Sequence, residues 1–277
     1  HAVAKADFTL TLDGKKVVKK QVQGSLVDID HLSPDADFMK QFAQALEKGK
    51  SFTNELIGQS KHTMETVPAF FGSSAFIDFI HQMQLNLAKA DISFAAPLAL
   101  DAVIHEGNIY VRDMFNLYRY ENLLYAMNLT GQEVKDYLEY SYGGWVKQMQ
   151  SKDDHMLLFR PNPEQITEVW ERFQRPSYNF DSAAGIRYTV DLTKPTGHRV
   201  TIISMADGQP FSLTKTYRCA LNSYRGNGGG GLLTEGAHIP SDELAKRVVW
   251  STEKDLRYYL MQEIKKQGTI NQIGRAH

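Results

Sequence analysis

Tyr217-Arg218-Cys219-Ala220-Leu221-Asn222-Ser223-Tyr224-Arg225-Gly226-Asn227-Gly228-Gly229-Gly230-Gly231 is the stretch whose reading decides the fold. Its first five residues read as a strand, and the strand runs straight into a polar, glycine-rich turn. Glycine tolerates φ > 0 and lets a ligand approach bare backbone N–H groups, at an entropic cost. Consecutive glycines would weaken a strand or a helix, so the segment is expected to be a loop built for a ligand. Tyr224 would supply a flat face, Arg225 a cation, and Gly228, Gly229 and Gly230 exposed amides. The bland alternative is a flexible surface linker.

Outward from that loop, strands and helices intersperse. Asp13-Gly14 between alternating runs over 7–30 predicts a β-hairpin. Ser33-Pro34 predicts a capped helix start, with a helix over 34–48. Phe76, Ile77, Ile80, Met83 and Leu87 mark a second helix, and 91–96 reads as a buried strand ended by Pro97. A short helix or turn over 112–117 leads to the polar-aromatic loop Tyr118-Arg119-Tyr120-Glu121-Asn122. A strand over 123–129 follows, then a helix opened by Thr130 and closed by Gly143-Gly144. Residues 146–178 read as a long, mobile insertion with a short helix near 162–172. Strands are expected over 186–192 and 199–203, and one long helix over 242–267. This order predicts a mixed α/β (α+β) domain, a mixed sheet flanked by helices.

The chain has 277 residues, 42% hydrophobic and 23% charged, with a formal net charge of −1. Such a balance gives no global field for a nucleic-acid polymer or an anionic membrane. No apolar run reaches the roughly 20 residues a membrane span needs. No signal peptide opens the chain, and His1-Ala2-Val3-Ala4 reads as a trimmed end. One cysteine, Cys219, excludes an internal disulfide, and its apolar strand marks it as a small hydrophobe.

Catalytic chemistry is not legible. The nine histidines are scattered, and His81 on an apolar helix reads as a core residue. Asp153-Asp154-His155 carries an Asp-x-His pattern usable by a metal, but in a polar loop with no strand before it. No zinc-protease, nucleophile-elbow or phosphate-loop motif occurs. No catalytic residue, metal ligand or cofactor is therefore assigned in this chain. Binding chemistry is better supported. Tyr118 and Tyr120 flank Arg119 and, with Tyr224, can clamp a planar ring, each stacked face contributing roughly 1–3 kcal/mol. Asn122 and Asn222 can read ring edges or ribose hydroxyls. Arg225 can meet a phosphate.

These residues resemble the C-terminal, substrate-binding domain of the bacterial 5′-nucleotidases and 2′,3′-cyclic-nucleotide 2′-phosphodiesterase/3′-nucleotidases. The resemblance runs in order through Asp91–Pro97, Ile109–Asn122, Leu129–Lys135, Asn179–Asp181 with Gly185–Tyr188, and Asn222–Arg225 with its glycines. It covers roughly 55–270, and Tyr120-Glu121-Asn122 and Tyr224-Arg225 look closer to the cyclic-phosphodiesterase branch. It implies a nucleobase sandwiched by Tyr120 and Tyr224, with Asn122 and Asn222 beside it. It also implies a partner metallophosphatase domain whose divalent metals activate water. None of that domain's signature blocks occurs here. Residues 1–30 resemble its closing strands, 31–55 a linker helix, and 56–277 the nucleotide-binding domain. A periplasmic or cell-surface location is implied as well. Two departures stand out. Ala95–Ala102 contains no arginine where many 5′-nucleotidases place phosphate-binding ones, and Gly230 replaces an aspartate found in some. A second reading makes the chain a non-catalytic subunit or scaffold that docks a separately encoded metallophosphatase through the 7–30 hairpin. A third makes it a self-sufficient hydrolase using Asp153 and His155.

Overall fold

A computed structural model describes residues 1–271. The chain divides into two compact units, His1–Phe52 and a second that begins at Thr53. The first unit is the expected hairpin, β1 (Ala2–Asp13) and β2 (Lys16–Asp28), followed by helix α1 (Ala36–Thr53). Asp13 pairs with Lys16 across the turn, where Gly14 supplies φ +58°. No residue of either strand is buried, and Phe8, Leu10 and Leu26 stay exposed. The helix starts later and runs further than 34–48. Asp35, not Ser33, receives the first free amide, from Phe38 N at 2.7 Å.

In chain order the second unit has β3 (Leu56–Ser60), β4 (Met64–Glu65), α2 (Ala75–Ala88), β5 (Ile92–Ala95), β6 (Val103–Ile104), β7 (Gly107–Tyr110) and α3 (Met114–Leu117). Then come β8 (Leu124–Thr130), α4 (Gly131–Gly143), β9 (Ser182–Ala184), β10 (Ile186–Val190), β11 (Val200–Met205), β12 (Thr216–Asn222) and α5 (Ser223–Gly226). α6 (Leu244–Arg247), β13 (Val248–Ser251), α7 (Leu256–Gln267) and β14 (Thr269–Ile270) close it. The central sheet has five strands in the order β13-β8-β12-β5-β9. Its β12–β5 pair is parallel and the other pairs are antiparallel, so the sheet is mixed, as expected.

Helices cover both faces because the strands alternate. Ala220 faces a core shared with Phe76 and Ile80 of α2 and Leu256 and Leu260 of α7. Its neighbours Cys219 and Leu221 face Val134, Tyr137 and Leu138 of α4. That period of two puts one apolar layer on each side of the sheet. Burial pushes the Cys219 thiol well above its ordinary pKa, which leaves it protonated and inert. Thr130 and Glu133 form the expected capping box at the start of α4.

Two expectations fail. The single helix over 242–267 is interrupted by β13. Val248-Val249-Trp250 are poor helix formers, and β13 hydrogen-bonds to the edge of β8. Asp255 then caps a fresh helix by accepting from Tyr258 N at 2.8 Å. The 162–172 helix is absent too, replaced by short 3-10 turns at Pro163–Gln165 and Val169–Glu171. The surrounding insertion is pinned by an aromatic stack. Trp145 lies 4.8 Å from Phe173, 5.0 Å from Phe70 and 5.2 Å from Phe180, ring centre to ring centre.

Candidate functional site

Strand register brings the separated loops together. β12 runs antiparallel to β8 with Asn222 opposite Leu124, so the chain leaving β12 meets the chain entering β8. Ser223 N donates to Leu123 O at 2.8 Å, and Leu123 N donates to Ser223 Oγ at 3.1 Å. β5 is parallel to β12, and its exit through Pro97-Leu98 lies at the same end. β9 is antiparallel to β5 with Ser182 opposite Ala95, which brings the preceding Tyr178 there as well. Crevices beyond the carboxyl ends of neighbouring strands are habitual ligand sites in α/β sheets.

At this edge Leu98, Tyr120, Asn122, Tyr178, Asn222 and Tyr224 line a cavity of about 270 Å³. The size is close to that of small-molecule pockets, and the walls are mostly aromatic. Tyr120 and Tyr224 are 40% and 43% exposed, so their rings are open to a ligand. Of the residues singled out in the sequence, Tyr120, Asn122, Asn222 and Tyr224 thus come together around one space. Tyr178 was missed. Its ring meets Tyr120 edge-on, with centres 6.1 Å apart and planes at 74°. It lies in the segment that carried no readable pattern.

Asn222 has two roles. Its Oδ1 accepts from Arg225 N at 2.9 Å and caps the turn. Asn222 also lines the cavity, with donors on its NH₂ group and a second lone pair on its carbonyl oxygen. Tyr118 is 2% exposed and sits behind the cavity rather than in its wall. Its hydroxyl lies near the Asn122 and Asn222 carboxamides without reaching hydrogen-bond geometry to either. Burial pushes this phenol well above its ordinary pKa, so it is neutral.

Arg225 does not face the cavity, contrary to its expected role as a phosphate contact. It and Asp181 are each 1% exposed and form an ion pair at 2.8 Å. The same guanidinium donates to Asn179 Oδ1 at 2.9 Å, Gly229 O at 3.2 Å and the Tyr178 carbonyl. Tyr137 donates its hydroxyl to Asp181 from below, at 2.5 Å. Arg225 thus ties the segment carrying Tyr178 to the loop carrying Tyr224, and stands 5.2 Å from the Tyr224 ring centre.

The glycines serve Tyr224 more than a ligand. The loop forms successive tight turns with φ > 0 at Gly228, Gly230 and Gly231. A Cβ on Gly229 would stand 2.4 Å from Tyr224 Cε2, and one on Gly230 would stand 2.6 Å from Asn179 Oδ1. Gly228, Gly229 and Gly230 do not line the cavity. Gly229→Ala is therefore expected to push the Tyr224 ring off its seat. The expected result is several-fold weaker ligand binding with near-normal thermal stability, read by calorimetric titration beside a melting curve.

His81 is a core histidine, its ring nitrogens 2.9 Å from Ser93 Oγ and 3.2 Å from Ser182 Oγ. In the Asp153–His155 loop, Asp154 accepts from Gln150 N and pairs with Lys147, and His155 Nδ1 lies 2.9 Å from Leu157 O. No three metal-ligating side chains converge among the described residues. No helix among them is long and apolar enough to cross a membrane.

A mixed sheet with helices on both faces carries an aromatic-lined cavity at its strand ends. The chain belongs to the family described as 5′-nucleotidase, C-terminal domain, whose profile matches residues 56–235. A trifunctional nucleotide phosphoesterase of Bacillus subtilis is 31% identical over 179 residues, covering 61% of this chain and 11% of that protein. A 2′,3′-cyclic-nucleotide 2′-phosphodiesterase/3′-nucleotidase of Haemophilus influenzae is 29% identical over 262 residues, covering 81% of this chain and 37% of its own length. The chain thus spans well under half of these relatives. Among solved structures, a Staphylococcus aureus 5′-nucleotidase superposes with a TM-score of 0.67 at 21% identity, over 98% of this chain and 48% of that one. Haemophilus influenzae NAD nucleotidase gives 0.56 at 18%, over 86% and 40%. Both likenesses speak to the fold.

Proposed function

We propose that this domain recognises a nucleoside or nucleotide by stacking its base between Tyr120 and Tyr224. The observation that carries the reading is the shared cavity: two half-exposed tyrosines and two asparagines, about 100 residues apart in sequence, line one space of base-like size. Asn222 then donates to an acceptor on the ring, and Asn122 lies beside it. Catalysis is proposed to come from divalent metals on a metallophosphatase domain that these residues do not supply. Residues 1–30 are proposed as strands continuing that domain, 31–55 as the linker and 56–277 as the recognition domain. The family resemblance supports a periplasmic or cell-surface setting.

This chain alone is expected to bind adenosine, seen as a saturable change in tyrosine fluorescence, and to release no phosphate from nucleotides. Absence of binding up to millimolar adenosine would contradict the reading. A second reading, a scaffold docking a separate metallophosphatase, is favoured by the exposed apolar side chains of the hairpin, Phe8, Leu10 and Leu26. Loss of metallophosphatase co-purification on replacing those three with serine would support it.

A further inference from the structure

Tyr118 carries a hydroxyl that the folded chain leaves unused. It is buried, with no hydrogen-bond partner among the described residues. Tyr137 and Tyr217 are equally buried, and both find partners. Tyr137 donates to Asp181 at 2.5 Å, and Tyr217 accepts from Ser212 N at 2.8 Å. An unpaired buried hydroxyl costs stability, and a phenylalanine would fill nearly the same space without that cost.

The neighbours of this hydroxyl are the carboxamides of Asn122 and Asn222, and both asparagines line the aromatic cavity. The main chain around them is pinned. Tyr118 N donates to Met114 O and Leu256 N donates to Asn122 O, each at 2.8 Å. Asn222 is held as well, because its Oδ1 accepts from Arg225 N. The Asn122 carboxamide is bonded to no other group among the described residues, so it is free to turn. A carboxamide shows an acceptor on one edge and donors on the other, and a half-turn exchanges them. Burial keeps the Tyr118 phenol protonated, so it retains a proton to give.

We propose that Tyr118 is a positioning residue for base recognition: its hydroxyl donates to Asn122 Oδ1 when a ligand fills the cavity, which commits the Asn122 NH₂ group to an acceptor on the base. The proposal rests on the base-stacking reading and adds the choice of base edge. Stacking on Tyr120 and Tyr224 accepts any base, since every base has a π-face. A fixed NH₂ group on Asn122 makes the cavity a reader of acceptors. Replacing the matching ring nitrogen by C–H leaves that donor unpaired, and such a ring is rejected. Tyr118 acts from behind the cavity wall and does not touch the ligand.

The test is calorimetric titration of this chain, Tyr118→Phe, Asn122→Ala and the double variant with adenosine and its 1-, 3- and 7-deaza analogues, beside a melting curve of each ligand-free protein. The wild type is expected to bind at least one deaza analogue about fivefold more weakly than adenosine. At least one such preference should vanish in Y118F and in N122A alike, with no further loss in the double variant. Ligand-free Y118F should melt at the wild-type temperature or above it, because it loses only an unpaired hydroxyl. A lower midpoint in Y118F would mean that the hydroxyl is already bonded in the free protein, and would overturn the proposal. So would every preference persisting in Y118F, or equal binding of all four nucleosides by the wild type. If the wild type binds no nucleoside, the stacking reading falls and the proposal falls with it. Nucleoside binding that Y118F leaves untouched removes the proposal alone.

Discussion

Arg225→Met is expected to destabilise the chain by about 3–5 kcal/mol, because it leaves the Asp181 carboxylate buried without its partner. Arg225 and Asp181 are both 1% exposed, 2.8 Å apart, and no water-facing route screens the pair. For a domain of this size each kcal/mol moves the melting midpoint by roughly 2–4 °C, so a drop on the order of 10 °C is expected. The loss should be recovered in large part by Asp181→Leu in the same chain. A buried ion pair replaced whole by apolar residues is often close to neutral, whereas one broken in half is not. Thermal unfolding of the two single variants and the double variant measures this directly. Additive losses in the double variant would mean that Arg225 acts mainly through its bonds to Asn179, Tyr178 and Gly229 rather than through Asp181. The double variant is also expected to bind ligand more weakly than the wild type even where it is stable. Without the guanidinium, nothing ties the Tyr178 carbonyl to the glycine loop that seats Tyr224.

Tyr224→Ala is expected to weaken adenosine binding by about 1–3 kcal/mol, between fivefold and a hundredfold or more, with little change in melting temperature. The asymmetry follows from exposure. Tyr224 is 43% exposed, so its truncation removes a ligand surface while opening no sealed core cavity. Arg225 is the converse, a buried residue that ties together the segments carrying Tyr178 and Tyr224 without lining the cavity. Tyr224→Phe should keep nearly all of the affinity if stacking is the interaction, since the ring face is unchanged. Isothermal titration of the three proteins separates the two contributions.

Two of the loops that line the cavity were legible in the sequence, but not how they are held together. Tyr217–Leu221 as a strand entering a turn was readable because a short, mostly apolar run opened by an aromatic precedes a polar, glycine-rich segment, and Asn222 caps that turn. Tyr120 and Asn122 were readable as a polar-aromatic loop between two patterned segments. Tyr178 was not, because its position depends on Arg225, 47 residues away in sequence, which accepts no local description. Arg225 itself read as a phosphate contact for the same reason. Burial is a property of what packs above a residue, and Asp181 and Tyr137 come from elements distant along the chain. β13 was hidden inside an apparent long helix because Val248 to Trp250 continue the apolar pattern. The choice of strand is made by the free edge of β8, which the local pattern does not contain.

A base is proposed to lie between Tyr120 and Tyr224. A crystal structure of this chain grown with saturating adenosine tests it most directly. The expected result is a purine ring parallel to both tyrosine rings, at roughly 3.5–4 Å from each, with the Asn222 NH₂ donating to a ring nitrogen. Adenosine bound elsewhere, or lying edge-on to either tyrosine, would contradict it.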